Sequence, residues 1–214
     1  MANDIFMGCT HSGTHIDAIG HFSRNHCLFG GVNAREAASG MGGLLKLGIE
    51  QTPPILRRGV LLDVASFKDV DALEPSYAIT ADCMEKTAKA EGVDLRAGDV
   101  VLIRTGWAKY WDTSAKYEGA GTGTPGPDLS AAKWLVAHKA SLTGSDTIAY
   151  EFNPGDGGGV VHGCLLVDNG LQIMENLNLE GLVKEHIYSF MFFASPLRIV
   201  GATASPIRPV AICS

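Results

Sequence analysis

Apolar positions along this chain fall into short runs bounded by turn residues, and those runs predict strands alternating with helices. Gly59-Val60-Leu61-Leu62-Asp63-Val64 follows Arg57-Arg58, and Asp99-Val100-Val101-Leu102-Ile103-Arg104 is a second run of the same kind. Both have the length of a buried strand. Between them, Thr80 reads as the N-cap of a helix over 81–90 that ends at Gly92. Strand, helix and strand in that order predict a parallel pair joined by a right-handed crossover. Further on, 129–139 reads as a helix capped by Asp128 or Ser130, 147–152 as a strand, 180–186 as a short helix, and 189–193 and 210–212 as strands. Asn169-Gly170 marks a reversal ahead of the run from Leu171 to Glu175. It suits a type I′ hairpin turn, or the left-handed cap of a short helix starting near His162. No internal repeat is visible.

Two stretches break this rhythm. Residues 23–43 are polar and glycine-rich and read as loop, with one helical turn at 34–38. Residues 105–127 carry Trp107, Tyr110, Trp111 and Tyr117 before a Gly/Thr/Pro-rich segment, and are too long for a simple connection. Their aromatic rings either line a pocket for a flat substrate or pack against the surface.

The densest chemistry lies in His11-Ser12-Gly13-Thr14-His15-Ile16-Asp17-Ala18-Ile19-Gly20-His21-Phe22. His11, His15, Asp17 and His21 share odd numbers, so an extended strand would point them to one face, with Thr14 and Ile16 on the other. A straight strand would separate the Cα atoms of His11 and His15 by roughly 13 Å. The backbone must bend for the imidazoles to meet, and Gly13 is the residue that tolerates it. A helix would also pair His11 with His15, but Gly13 and β-branched Thr14 and Ile16 disfavour it, and Asp17 would point away. Imidazole and carboxylate together suit a divalent ion, zinc or manganese.

The same stretch resembles the H-x-G-T-H-x-D-x-P-x-H-F signature of the cyclase-like metal-dependent hydrolases, a family that includes bacterial arylformamidases and isatin hydrolase. Seven of its eight fixed positions match, and Ile19 stands where the family usually has proline. Arg104-Thr105-Gly106-Trp107, the lead-in Gly144-Ser145-Asp146-Thr147, the segment from His162 to Leu177, and the closing stretches around Ser195–Arg198 and Thr203–Val210 also resemble the family. The resemblance implies an α/β fold of the swivelling β/β/α kind, a barrel-like mixed sheet with outer helices, in a single domain spanning 1–214. Only ten residues precede His11, where relatives usually carry several dozen more. The usual N-terminal strands of the family are therefore expected to be lacking.

His162 and Glu175 complete a candidate ligand set with His11, His15 and Asp17, because either reading of the Asn169-Gly170 reversal returns Glu175 towards His162. Five ligands exceed the need of one tetrahedral zinc, and two ions bridged by Asp17 would use them all. His21 has a suitable pKa for proton transfer, and the matching family histidine is assigned that acid/base role. The resemblance implies hydrolysis of a C–N bond in a small amide or formamide, arylformamidase-like, because Glu175 matches formamidases better than isatin hydrolase. Ring opening of a cyclic amide, imide or lactone is the alternative. A metal-binding relative without turnover is a third reading.

Composition narrows the partners. With 214 residues and 46% hydrophobic content, the chain has material for a full core. A net charge of −6 argues against a nucleic-acid backbone as partner. No apolar run is long enough for a bilayer, and no signal-like leader is visible, so a cytoplasmic protein acting on a small molecule is expected. Cys9, Cys27, Cys83, Cys164 and Cys213 are scattered without a CxxC pair and read as free thiols, Cys9 as a pocket or packed residue. His26, His138 and His186 lack partners and read as surface or loop residues. A homodimer or homotetramer is expected, since strands left uncovered tend to pair.

Overall fold

The computed structural model describes residues 3–5, 7–154 and 158–213. Its strands and α-helices, in chain order, are β1 (His15–Asp17), α1 (Ala34–Ala37), β2 (Ile55–Asp63), α2 (Val64–Phe67), β3 (Ala78–Ile79), α3 (Ala81–Ala90), β4 (Val100–Arg104), α4 (Ser114–Tyr117), β5 (Gly126–Pro127), α5 (Leu129–Ala137), β6 (Leu142–Ser145), α6 (Val160–His162), β7 (Gln172–Glu175), α7 (Glu180–Lys184), β8 (Ser189–Ala194), β9 (Ala204–Pro206) and β10 (Val210–Ile212). A π-helical segment, Gly163–Asp168, continues α6.

One eight-stranded mixed sheet runs β10-β8-β2-β4-β6-β7-β1-β9, and β3 pairs with β5 apart from it. The large sheet curls into a half-barrel with helices outside, in the α/β class expected. Strand period explains the two-sided core. Val60, Leu62, Val101, Ile103 and Ile173 face α3, α5 and the π-helical segment. Their neighbours Leu61, Val100, Leu102 and Met174 face inward with Ile16 and Phe192. The expected parallel pair is β2 with β4, in register from Gly59 opposite Val100 to Asp63 opposite Arg104.

Local signals place several elements closely. Thr80 Oγ1 accepts the Cys83 amide at the start of α3, and Asp128, not Ser130, caps α5 by accepting from Ala131. β2 starts at Ile55, before the predicted run, and ends where the Asp63 side chain accepts the Ser66 amide and begins α2.

Residues 147–152 do not form the predicted strand. β6 lies just before them, and buried Asp146 then turns the chain by accepting from the Thr105 and Gly106 amides and the Thr105 hydroxyl. In the long loop, Trp107 and Tyr117 are buried and hydrogen-bonded, while Trp111 is exposed. Cys9 is exposed rather than packed, and all five thiols are free. Among the described residues, no helix is long and apolar enough to cross a membrane.

Candidate metal centre

β1 lies between β7 and β9, antiparallel to both. His15 is paired with Glu175 across the β1–β7 ladder, so their side chains leave the sheet on the same face. Asp17, two residues on, shares that face, whereas Ile16 and Met174 point into the inner core. The bend expected at Gly13 is present, with φ at +62°. A Cβ there would meet nothing within 4 Å, so the demand is on backbone conformation and not on space. The bend brings the His11 ring to 5.0 Å from that of His15.

The second half of the site comes from the helix packed over this face. His162 ends α6 and leads into the π-helical segment, and Gly170, at φ +62°, returns the chain to β7. The Asn169-Gly170 reversal is thus a helix end and not a hairpin. The chain turns after Asp17 in a 3-10 helix, Ile19–His21, despite the missing proline. The Gly20 amide bonds to the Leu47 carbonyl at 2.9 Å, and a side chain at Gly20 would collide with Leu44 and Leu47.

All five expected ligands converge. His11 Nδ1 is 3.1 Å and His15 Nε2 3.7 Å from Asp17 Oδ1. Glu175 lies 3.3 Å from both His15 Nε2 and His162 Nε2, and His162 Nε2 is 3.8 Å from Asp17 Oδ2. The atoms form two overlapping groups, His11–His15–Asp17 and Asp17–His162–Glu175, each within 4.8 Å and sharing Asp17. His15 Nε2 and both Asp17 carboxylate oxygens are buried without a hydrogen-bond partner. Such atoms are costly unless something else satisfies them. An oxygen-and-nitrogen donor set of this kind fits a divalent ion such as zinc or manganese, in one or two positions.

The outward ring nitrogens are also held. The Gly13 carbonyl can only accept, so His15 Nδ1 carries the hydrogen, at 2.9 Å, and Nε2 is left to face the cluster. His11 Nε2 lies 3.0 Å from Thr203 Oγ1. Burial opposes charge on His162, but Glu151 and Glu175 outweigh it and push its pKa up to about 10. Burial likewise opposes charge on His15, and Glu175 turns the balance upward. Burial would raise Glu175, yet the two imidazoles hold it below the usual carboxylate range. The ion-free cluster therefore holds protons that an ion would displace.

His21 stands apart electrically. Burial, helped by neighbouring His11 and His162, lowers its pKa against the pull of Asp17. Its ring lies 4.3 Å from His11 and 6.2 Å from His162, and it lines a cavity of about 290 Å³ with Phe22, Ala149, Phe152, Asn153 and His162. The aromatic residues of 105–127 are not among the residues lining that cavity.

Asn176 and Glu151, to which the sequence assigned no role, contact the ligand-bearing segments. Asn176 Nδ2 donates to the Gly13 carbonyl at 3.0 Å, its Oδ1 accepts from Tyr117 at 2.7 Å, and its carbonyl accepts from Thr14 at 2.6 Å. It ties both ligand-bearing segments together. Glu151 Oε2 lies 3.5 Å from His162 Nδ1, and Glu151 lines the same cavity as His21 and His162. The only signal for it was an acidic residue inside an apolar run, Tyr150-Glu151-Phe152.

A family model described as "Putative cyclase" matches residues 2–151. Isatin hydrolase of Roseibium aggregatum is 28% identical over 210 residues, which cover 94% of this chain and 71% of that protein. A solved structure described as a novel cyclase superposes with a TM-score of 0.87 at 32% identity, over 97% of this chain and 71% of the other. The structure of an isatin hydrolase bound to the product analogue thioisatinate gives a TM-score of 0.70 at 27% identity, over 95% of this chain and 72% of the other.

Proposed function

The chain belongs to the cyclase family, and from that premise we propose that it is a metal-dependent hydrolase cleaving a C–N bond in a small amide. The observation that carries this reading is the set of buried, unpartnered donor atoms on His15 and Asp17, beside a cavity that His21 also lines. His11, His15, Asp17, His162 and Glu175 would hold the ion or ions. Bound there, a divalent ion supplies Lewis acidity to the amide carbonyl and acidifies water towards neutral pH.

The residues of the chain do the rest. His21, whose lowered pKa keeps its imidazole neutral near pH 7, accepts the proton released as water adds to the carbonyl carbon. It then delivers that proton to the departing nitrogen, which leaves poorly as an anion. Phe22 and Phe152 border the cavity, bind the substrate's apolar part and limit access of bulk water.

Two substrate forms follow from different observations. Similarity to isatin hydrolase over 94% of the chain favours ring opening of a cyclic amide. Glu175, which stands with Asp17 and His162 in the cluster, is compatible with the open formamide that the resemblance of the sequence implies. The test is elemental analysis of protein purified without added metal, then a panel of cyclic amides, imides, lactones and aryl formamides. Asp17→Ala should lose both metal and turnover. Metal content equal to wild type in that variant would remove Asp17 from the site. Bound metal with no turnover on any member of the panel would favour a non-catalytic relative.

A further inference from the structure

The three candidate histidine ligands are not backed alike. His15 leans on a backbone carbonyl and His11 on a hydroxyl, but His162 Nδ1 faces a carboxylate, with Glu151 Oε2 at 3.5 Å. That separation is an ion-pair contact, longer than a hydrogen bond, yet the carboxylate is fixed on this side of the ring. Glu151 Oε2 accepts from the amides of Val161 at 2.7 Å and His162 at 3.0 Å, and Oε1 accepts from Gly159. One side chain thus ties down the backbone that carries His162 and sets a carboxylate beside its imidazole.

The chain adopts an unfavourable conformation to place that carboxylate. Tyr150 has φ at +54°, a left-handed conformation that a bulky side chain rarely adopts. Its ring is wholly buried, and its hydroxyl meets Thr143 Oγ1 at 2.7 Å, which anchors the turn. The Glu151 amide closes the turn onto the Ala149 carbonyl at 2.6 Å.

We propose that Glu151 is a positioning residue for cation binding. It holds His162 through Nδ1 and the helix start, so that the Nε2 lone pair is presented to the Asp17–Glu175 pair. The proposal rests on the reading of His162 as a ligand. A carboxylate behind a ligating imidazole fixes ring orientation and raises ligand basicity, and losing such a partner typically costs about 10–100-fold in metal affinity.

The experiment titrates ion-free protein with Zn²⁺ against a chromophoric chelator, for wild type, Glu151→Gln and His162→Ala. Melting of each ion-free protein is followed in parallel. Glutamine preserves the shape and one acceptor oxygen but removes the charge. The expected result is a roughly 10–100-fold weaker Zn²⁺ affinity in Glu151→Gln, with an ion-free melt that is lowered yet still cooperative, because the glutamine NH2 group cannot accept from the backbone amide it would face. Wild-type affinity in Glu151→Gln, alongside a loss in His162→Ala, would overturn the positioning role and leave the ligand reading standing. Wild-type affinity in His162→Ala would overturn both. Should Glu151→Gln fail to fold, ¹⁵N imidazole spectra of Zn²⁺-loaded wild type decide the matter. A hydrogen on His162 Nδ1 that is slow to exchange supports the proposal, and zinc on Nδ1 or rapid exchange there refutes it.

Discussion

Replacing Asn176 by alanine tests whether the two ligand-bearing segments are locked together by one side chain. The substitution deletes the bond to the Gly13 carbonyl and the acceptor for the Tyr117 hydroxyl. Neither partner is orphaned. Gly13 still accepts from His15 Nδ1, and Tyr117 still reaches the Asp146 carbonyl at 3.1 Å. Each lost bond therefore costs the ordinary net amount of about 0.5–1.5 kcal/mol and not the larger penalty of a stranded group. Asn176 also sits at φ +56°, which asparagine tolerates and alanine does not, at roughly 1–2 kcal/mol. The bonds share a network and need not add, so about 2–4 kcal/mol is expected in total. For a chain of this length that is roughly 5–15 °C in melting temperature. Asn176→Gly separates the terms, because glycine removes both bonds but accepts the backbone conformation. Calorimetry of ion-free protein should place Asn176→Gly between wild type and Asn176→Ala. An unchanged melting temperature in Asn176→Ala, or glycine no better than alanine, would refute the reasoning.

Two further outcomes follow from the same geometry. His21→Ala should keep near-normal metal content yet lose about 10²–10⁴-fold in kcat on whatever substrate is found, whereas His11→Ala should lose metal. If His21→Ala sheds its metal as well, His21 is a ligand. Glu91 has one oxygen on the Asp63 amide at 2.7 Å and the other without a partner, and burial pushes its pKa up to about 8. The folded state then keeps a proton that the unfolded chain releases near its ordinary value, so this group subtracts stability as pH rises from about 4.5 to about 8. Urea midpoints across that range should fall less steeply in Glu91→Gln than in wild type; parallel profiles would rule the coupling out.

What the sequence made legible was local. The spacing of His11, His15 and Asp17 around one glycine, the capped helix α3 and the two strands of the parallel pair all announce themselves within a few residues. The failures came where a side chain far away decides. Ile148, Tyr150 and Phe152 alternate like a strand, but Asp146 is claimed by the amides of Thr105 and Gly106, and the chain turns. Asn169-Gly170 serves a hairpin and a helix end equally well, and only packing of the π-helical segment on the sheet selects between them. The partners of Asn176 and Glu151 depend on register between distant strands, which no local pattern encodes.

Thr14 and Asn176, hydrogen-bonded to each other, are 162 positions apart in the chain. Direct closure of so long a loop would cost about 4–5 kcal/mol, so β1 is expected to pair with β7 only after the strands between them have assembled and shortened it. An incompletely folded intermediate can own each ligand and still have no site. A cation held by His15, Asp17 and Glu175 would act as a cross-link between an early and a late segment and would resist opening at β1. Occupancy and global folding would then be linked, and withholding the ion should lower the melting temperature as well as any turnover.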